Sequence, residues 1–403
     1  MVRNMIAAAA LPIEPVISLL LLTPVGFASP LQDASFAQST DITAHQNPHG
    51  RTAGAVFAMT NIAEHNEIVV YSRATNGTLT AVDRVSTGGS GKGDDFDTAG
   101  GLVLSDDHRF LYACNAGSND ISVFAVNGTR LTLVQKIFSE GVVPESLTFH
   151  GNLMYVLHGS VADNNISGFT VAYNGTLTPL PDSKRALSSP IAVPGSVQFS
   201  PDGRVLVVTL KAAQVDVNPG PFVIDTFTVG SDGRPSSVRP EKSFGRRPFS
   251  TTFRSNGVLI VVESGEPFPN QAAVSSYTVN SADGDLDVIT GSEPNGQTDG
   301  CWVVLSKNER YAYTANFGTG NISSYRANPN GKLDLISGTA ADLGITSEPT
   351  DIRISEDGRF FYVVLRGTGE VAAFRIEEDG SLTPRGTVGG LPANTGASGL
   401  AAY

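Results

Sequence analysis

The chain has 403 residues, 40% hydrophobic and 16% charged, with 43 glycines and 23 prolines. Its formal net charge of -12 has the wrong sign for a nucleic-acid partner or an anionic membrane surface, both of which need a basic face. A small anionic ligand is compatible only where local cations override that field.

From the N-terminus, residues 1–28 read as a secretory signal. Arg3 supplies the positive start, the run from Ile17 to Leu22 the apolar region, and Gly26, Phe27 and Ala28 the small residues before a cleavage point. The apolar run is short for a membrane anchor. Export to the extracellular space is expected. Residues 29–50, with Ser, Gln, Asn and Pro, read as a disordered lead-in.

From residue 51 the chain repeats. A short strand ends in an aromatic at Tyr71, Phe124, Phe169, Phe227, Tyr277, Tyr325 and Phe374. Each is followed by a turn glycine: Gly77, Gly128, Gly175, Gly233, Gly284, Gly331 and Gly380. Such hairpin turns need a residue tolerant of positive φ. The period of about 50 residues matches a four-stranded propeller blade. Upstream of most aromatic strands lies a second apolar run (110–114, 153–157, 205–210, 258–262, 311–315, 360–365), preceded by a turn such as Ser306 to Arg310 or Ser355 to Arg359. Within a blade the order is therefore inner strand, turn, second strand, loop, aromatic third strand, glycine turn, outer strand. The first blade starts at its second strand, 55–59. The chain ends at 397–403 in what reads as an inner strand with no blade after it. The two deficits match, so the C-terminal strand should close the ring in the first blade. The expected fold is all-β, a single seven-bladed β-propeller over 51–403.

Three stretches carry a family resemblance: Ser200-Pro201-Asp202-Gly203-Arg204, Asn115 to Asp120 with Phe124, and Gly380-Ser381-Leu382-Thr383. They resemble the repeats of the lactonase-type seven-bladed propellers. That family includes bacterial 6-phosphogluconolactonases and the fungal enzyme that cyclises 3-carboxy-cis,cis-muconate. The resemblance covers about residues 51–403. It implies an enzyme that opens or forms a small lactone, or a carboxymuconate-type cycloisomerase, acting as a monomer without a cofactor on a small lactone or carboxylate. A non-catalytic secreted or wall-associated binding propeller is the alternative from another class, since a fold does not settle a function.

In a four-stranded blade the second-to-third-strand loops and the blade-joining loops emerge on one face. The second strands end there in Asn61, Asn115, His158, Lys211 (or Leu210), Glu263, Asn316 and Arg366 (or Leu365). The joining loops add Asp94, Asp95, Asp97, Glu145, Arg246, Arg247, Asp299, Glu348 and Asp351. Lactone hydrolysis needs a base for water and donors for the developing oxyanion. His158 is the expected base and Glu263 its orienter or a base itself. Lys211, Arg366 and Arg246 are the expected holders of an oxyanion or carboxylate, and Asn115, Asn316 and Asn61 the expected substrate contacts. The plainer reading is that a channel mouth is wet and tolerates polar residues.

No nucleophilic serine elbow occurs in context. The six histidines are scattered without zinc spacing. Calcium could use Asp94, Asp95 and Asp97, or a ring of Asn61, Asn115, Asn316 and Glu263, though an acidic surface loop is the preferred reading of the aspartates. Cys114 and Cys301 fall in different blades and are expected as two buried thiols. Asn76, Asn127, Asn165, Asn174 and Asn321 occupy glycosylation sequons.

Overall fold

The structure, a computed structural model, describes residues 52–93, 98–159, 163–190, 192–211 and 222–403. The expectations for 1–28 and 29–50, and for calcium at Asp94, Asp95 and Asp97, lie outside the described residues. The remainder forms seven antiparallel sheets in a ring, one per blade, each running inner, second, third, outer strand. The outer strand of the third blade is split into Leu177–Pro179 and Arg185–Ala186.

Closure follows the sequence. The inner strand of the first blade is Leu400–Ala402, paired antiparallel with Thr52–Met59: Val56 opposes Ala402, Phe57 opposes Ala401 and Ala58 opposes Leu400. Arg73 Nε donates to the Tyr403 carbonyl at 2.9 Å and fixes the last residue.

The repeated aromatic strands are buried between blades, where Tyr71, Phe124, Phe169, Phe227, Tyr277 and Tyr325 have almost no exposure. A second device links neighbours. A hydroxyl in one blade donates to the carbonyl of the next blade's turn glycine. Tyr112 reaches Gly175 at 3.0 Å, Tyr155 reaches Gly233 at 2.7 Å, Ser276 reaches Gly331 at 2.8 Å, and Tyr313 reaches Gly380 at 2.8 Å. Tyr362 reaches Gly77 at 3.1 Å and Tyr403 reaches Gly128 at 2.9 Å. Gly77 illustrates why these turns hold glycine: its φ is +88, and a Cβ there would stand 2.1 Å from Phe360 Cδ1.

The central channel is blocked at one level by backbone. The inner strand of the second blade is only Leu102–Leu104, because the segment 98–101 crosses the channel instead of running along its wall. The Thr98 carbonyl accepts Trp302 Nε1 from the sixth blade at 3.1 Å, and its hydroxyl donates to the Glu145 carbonyl of the third. Ala99 N–H reaches the Gly195 carbonyl of the fourth blade at 3.2 Å, and the Ala99 carbonyl accepts Ser146 Oγ at 2.7 Å. Gly100 N–H faces Asp351 Oδ1 of the seventh blade at 3.4 Å. Ala99 also packs in the apolar cluster containing Phe249 and Trp302.

Candidate functional site

Each inner strand from the third to the seventh blade opens on a bulge, after Pro144, Pro194, Pro248, Gly300 and Pro349. In four of these blades the residue just before is left-handed without being glycine: Val143 (φ 57), Arg247 (φ 55), Asp299 (φ 54) and Glu348 (φ 48). Such backbone costs on the order of 1–3 kcal/mol per residue and needs support. The support is repeated: the residue after the second strand donates its N–H to that carbonyl. The pairs are Gly159 to Val143 (3.0 Å), Ser264 to Arg247 (3.1 Å), Phe317 to Asp299 (2.8 Å) and Arg366 to Glu348 (3.1 Å). This ladder fixes the loop face around the channel.

The register divides the expected ring of polar residues into two sets. The cross-strand partners of the repeated aromatics are Val56, Leu111, Met154, Leu206, Leu259, Ala312 and Phe361. Counting onward by the same step reaches Thr60, Asn115, His158, Leu210, Glu263, Asn316 and Leu365. Asn61, Lys211 and Arg366 fall one residue later, on the opposite side of their strands. Where the sequence left Lys211 or Leu210, and Arg366 or Leu365, the equivalent positions are Leu210 and Leu365.

The first set points between blades and closes the gaps there. His158 is fully buried; its Nε2 lies 3.1 Å from Ser139 Oγ, and its Nδ1 has no partner. Burial, helped by the charge on Lys184, pulls its pKa down to about 4 and keeps the ring neutral. Glu263 is also buried and accepts Gly245 N–H at 3.0 Å, Ser292 Oγ at 2.5 Å and the Ser275 hydroxyl. Burial raises its pKa against those three donors. A Cβ at Gly245 would stand 1.7 Å from Glu263 Oε2, so the joining loop lies directly on the carboxylate. Asn115 Oδ1 accepts Thr87 Oγ1 (2.7 Å) and Asn66 Nδ2 (3.0 Å), while its Nδ2 donates to Asp120 (2.6 Å) and Ser122 (2.8 Å). Asn316 accepts Asn295 Nδ2 (3.0 Å) and donates to Asn321 (2.7 Å) and Ser323 (2.8 Å). Each thus ties the end of a second strand to the segment leaving the preceding blade. His158 and Glu263 close different gaps and share no contact. The expectation that both face the channel mouth is corrected: alternation along the strand turns them inward, between blades. The proposed cation ring of Asn61, Asn115, Asn316 and Glu263 does not assemble, and no metal-holding acidic or histidine group occurs among the described residues.

Of the second set, only Lys211 lies near other cations. Lys211 is buried with Nζ 4.2 Å from the centre of the Phe249 ring. Leu210 opposes Val223, which brings Phe222 beside Lys211. The Arg246 guanidinium lies 5.4 Å from the Phe222 ring and 4.8 Å from the Phe268 ring. Arg247, 3% exposed, has Nη2 3.1 Å from Glu266 Oε2. Arg246 Nε, Arg247 Nε and Arg247 Nη1 are buried without a hydrogen-bond partner. Unpaired buried donors are costly, and here three belong to two consecutive arginines. In a chain of net charge -12 this sector of the fourth and fifth blades gathers three cations among the Phe222, Phe249 and Phe268 rings, with Glu266 as the carboxylate beside them. Arg366 stands apart, paired with Glu348 at 3.1 Å over the Phe317 ring at 4.3 Å. Asn61 braces loops, its Nδ2 on the Gly396 carbonyl (3.0 Å) and its Oδ1 under Lys92 N–H (2.8 Å).

A family model described as lactonase, seven-bladed β-propeller, matches residues 61–195 and 223–344. The chain belongs to the lactonase family of seven-bladed β-propellers. No curated protein matches it. Among solved structures, the periplasmic gluconolactonase of Pseudomonas aeruginosa is similar at 18% identity and TM-score 0.65, over 86% of this chain and 98% of that one. A Bacteroides uniformis protein provisionally described as a 6-phosphogluconolactonase is similar at 17% identity and TM-score 0.65, over 86% and 98%. A Lactobacillus plantarum protein is similar at 15% identity and TM-score 0.62, again over 86% and 98%. At these identities the likeness concerns the fold.

Two further expectations meet the structure of this lactonase-family propeller. Cys114 and Cys301 are both buried and are not joined by a disulfide. Of the sequons, Asn76, Asn127 and Asn174 are exposed, but Asn165 and Asn321 are buried, their amides donating to the Asp163 carbonyl and to Gln297. A glycan on either would displace those bonds, so these two are withdrawn as sites in the folded chain. Sequence reasoning gave no role to Arg247, Phe222, Phe249, Phe268 or Glu266. The signal at hand was two consecutive arginines before a proline at a blade junction of an acidic chain.

Proposed function

We propose that this propeller opens a small lactone bearing a carboxylate or similar anionic group, at the loop-face sector of the fourth and fifth blades. The observation that carries the reading is the pair Arg246 and Arg247 with three buried, unpartnered N–H donors, on a chain of the lactonase family. One arginine would hold the substrate's anionic group between the Phe222 and Phe268 rings. The other would donate to the lactone carbonyl oxygen as negative charge develops there. Glu266, half-exposed beside Arg247, is the carboxylate placed to take a proton from the attacking water. Water adds to the carbonyl carbon, the ring C–O bond breaks, and the proton passes to the leaving alkoxide. The N-terminal export signal, extracellular location, monomeric state and freedom from a cofactor belong to the same reading.

The same arginine pair favours a second reading, a cycloisomerase that adds a substrate carboxylate across a double bond to close a lactone. Assay of the purified protein against carboxylated and neutral lactones, and against muconates, separates the two by product. Arg246→Ala and Arg247→Ala should raise KM for carboxylated substrates by about tenfold or more, with little change for neutral ones. Glu266→Gln should lower kcat by about 10²–10⁴-fold. No turnover on any substrate would leave a binding propeller.

A further inference from the structure

The segment 98–101 divides the channel, and on its other side lies a cavity of about 330 Å³. Its floor is Ala99 and Gly100, its wall the inner strands of the second to seventh blades, and Asp106, in an inner-to-second-strand turn, stands at its rim. It is remote in kind from the loop-face sector: none of Lys211, Arg246, Arg247 or Glu266 lines it.

Register shows what faces inward. Val103 opposes Tyr112, Thr148 opposes Tyr155, Gln198 opposes Val207, Thr252 opposes Ile260, Val304 opposes Tyr313 and Arg353 opposes Tyr362. These positions are equivalent, so four polar side chains and two valines form one level of the channel. Arg353 is the cation of that level. Its Nη1 donates to the Ile352 carbonyl at 2.9 Å, and no carboxylate among the described residues forms an ion pair with it, although the charge of Asp351 acts on it at longer range. Gln198 Oε1 accepts Thr251 Oγ1 at 3.0 Å, and its amide N–H₂ has no acceptor among the described residues. The nearest acidic side chain along the strand, Asp351, is engaged by Gly100 N–H (3.4 Å), Ser398 Oγ (3.0 Å) and Gly399 N–H (2.8 Å). Asp106 is exposed at the rim. A half-buried guanidinium whose nearest carboxylate, Asp351, is held by other donors is costly: burial works against its charge and Asp351 offsets that only in part, yet a guanidinium cannot discharge at neutral pH.

We propose that this cup is a second ligand site, for a small polyhydroxylated anion, whose carboxylate or phosphate pairs with Arg353 while its hydroxyls meet Gln198, Thr252 and the serine and threonine wall. The strap of 98–101 separates it from the loop-face sector, so it binds independently of turnover there.

Calorimetric titration of the full chain with gluconate, with inorganic phosphate and with the uncharged polyol sorbitol tests this. Gluconate should bind one per chain, and sorbitol should bind far more weakly. Phosphate binding as tightly as gluconate would assign the site to the anion alone and overturn the polyol part. Arg353→Met should weaken gluconate by about ten- to a hundredfold. It should keep or raise the melting temperature, because a half-buried charge with no ion pair among the described residues is removed. Arg246→Met is the control and should leave this binding intact. Trp302, the one tryptophan of the chain, bonds the strap, so its emission should change with the same saturation curve. Absence of gluconate binding in the wild type, equal binding by Arg353→Met, or loss in Arg246→Met instead would each overturn the proposal. Should Arg353→Met fail to fold, Gln198→Leu carries the test, with weakening of several-fold expected and unchanged affinity overturning it. Lactone turnover in Arg353→Met reports separately on the loop-face reading.

Discussion

A buried imidazole that is neutral when folded ties stability to pH. His158 titrates at about 4 in the folded chain against an ordinary value of 6.5. Between those values the unfolded chain binds more protons, so the contribution is complete above 6.5 and lost as pH falls toward 4. Its size is about 3 kcal/mol. Asp225, pushed up to about 6 by burial, acts oppositely: its contribution is complete below 3.8 and lost as pH rises through 6. Glu263, also raised, works in the same direction as Asp225. The melting temperature of the wild type alone therefore mixes opposed effects. The difference from His158→Gln isolates one of them. That variant should be less stable at pH 7, and the deficit should shrink or reverse by pH 4.5; a deficit constant across this range would refute the assignment. On the catalytic side, a gap-closing role predicts that His158→Ala lowers the melting temperature while folded molecules keep their kcat.

At the scale of strands and turns, blades are joined by two recurrent devices, the polar residue ending the second strand and the hydroxyl reaching the next turn glycine. Tyr362→Phe keeps the ring in place and removes one such bond across the closing junction, so it should cost about 1 kcal/mol. Gly77→Ala should cost more, through both its positive φ and the Phe360 ring; chemical denaturation measures both, and equal costs would count against the close approach. The strands themselves were readable in the sequence, because apolar runs, aromatic ends and turn glycines repeat with one spacing. The direction of single side chains was not. A slip of one residue at a strand end exchanges the two sides, and a lone sequence gives Lys211 and Leu210 equal claim to the position. The aromatic anchors contain the answer, since their cross-strand partners set the count, but only once pairing is known. Arg353 escaped notice for a related reason: a charge in the middle of a strand has meaning only when that strand is known to line a channel. The strap escaped because residues 98–101, Thr-Ala-Gly-Gly, look like an ordinary joining loop.

For the molecule as a whole, the two ends of the repeat region hold the ring shut. Removing residues 397–403 would expose the paired edge of Thr52–Met59, empty the space of the buried Leu400, and strip Asp351 of Ser398 and Gly399. Such a truncation should melt well below the full chain and aggregate through the open edge, and equal melting temperatures would contradict the closure. The strap has a different kind of consequence. Seven blades of one chain are held in sequence by the repeats and closed by the last strand, but neighbouring blades alone leave the channel free to breathe. Here one peptide sits on the axis and reaches hydrogen-bonding partners in the third, fourth, sixth and seventh blades at once. Those partners converge on it only at one circumference. The seven repeats set how many blades there are, and the segment braces them from within: four residues on the axis tie blades that are not neighbours to a single point, so a change in the width of the ring is felt first there.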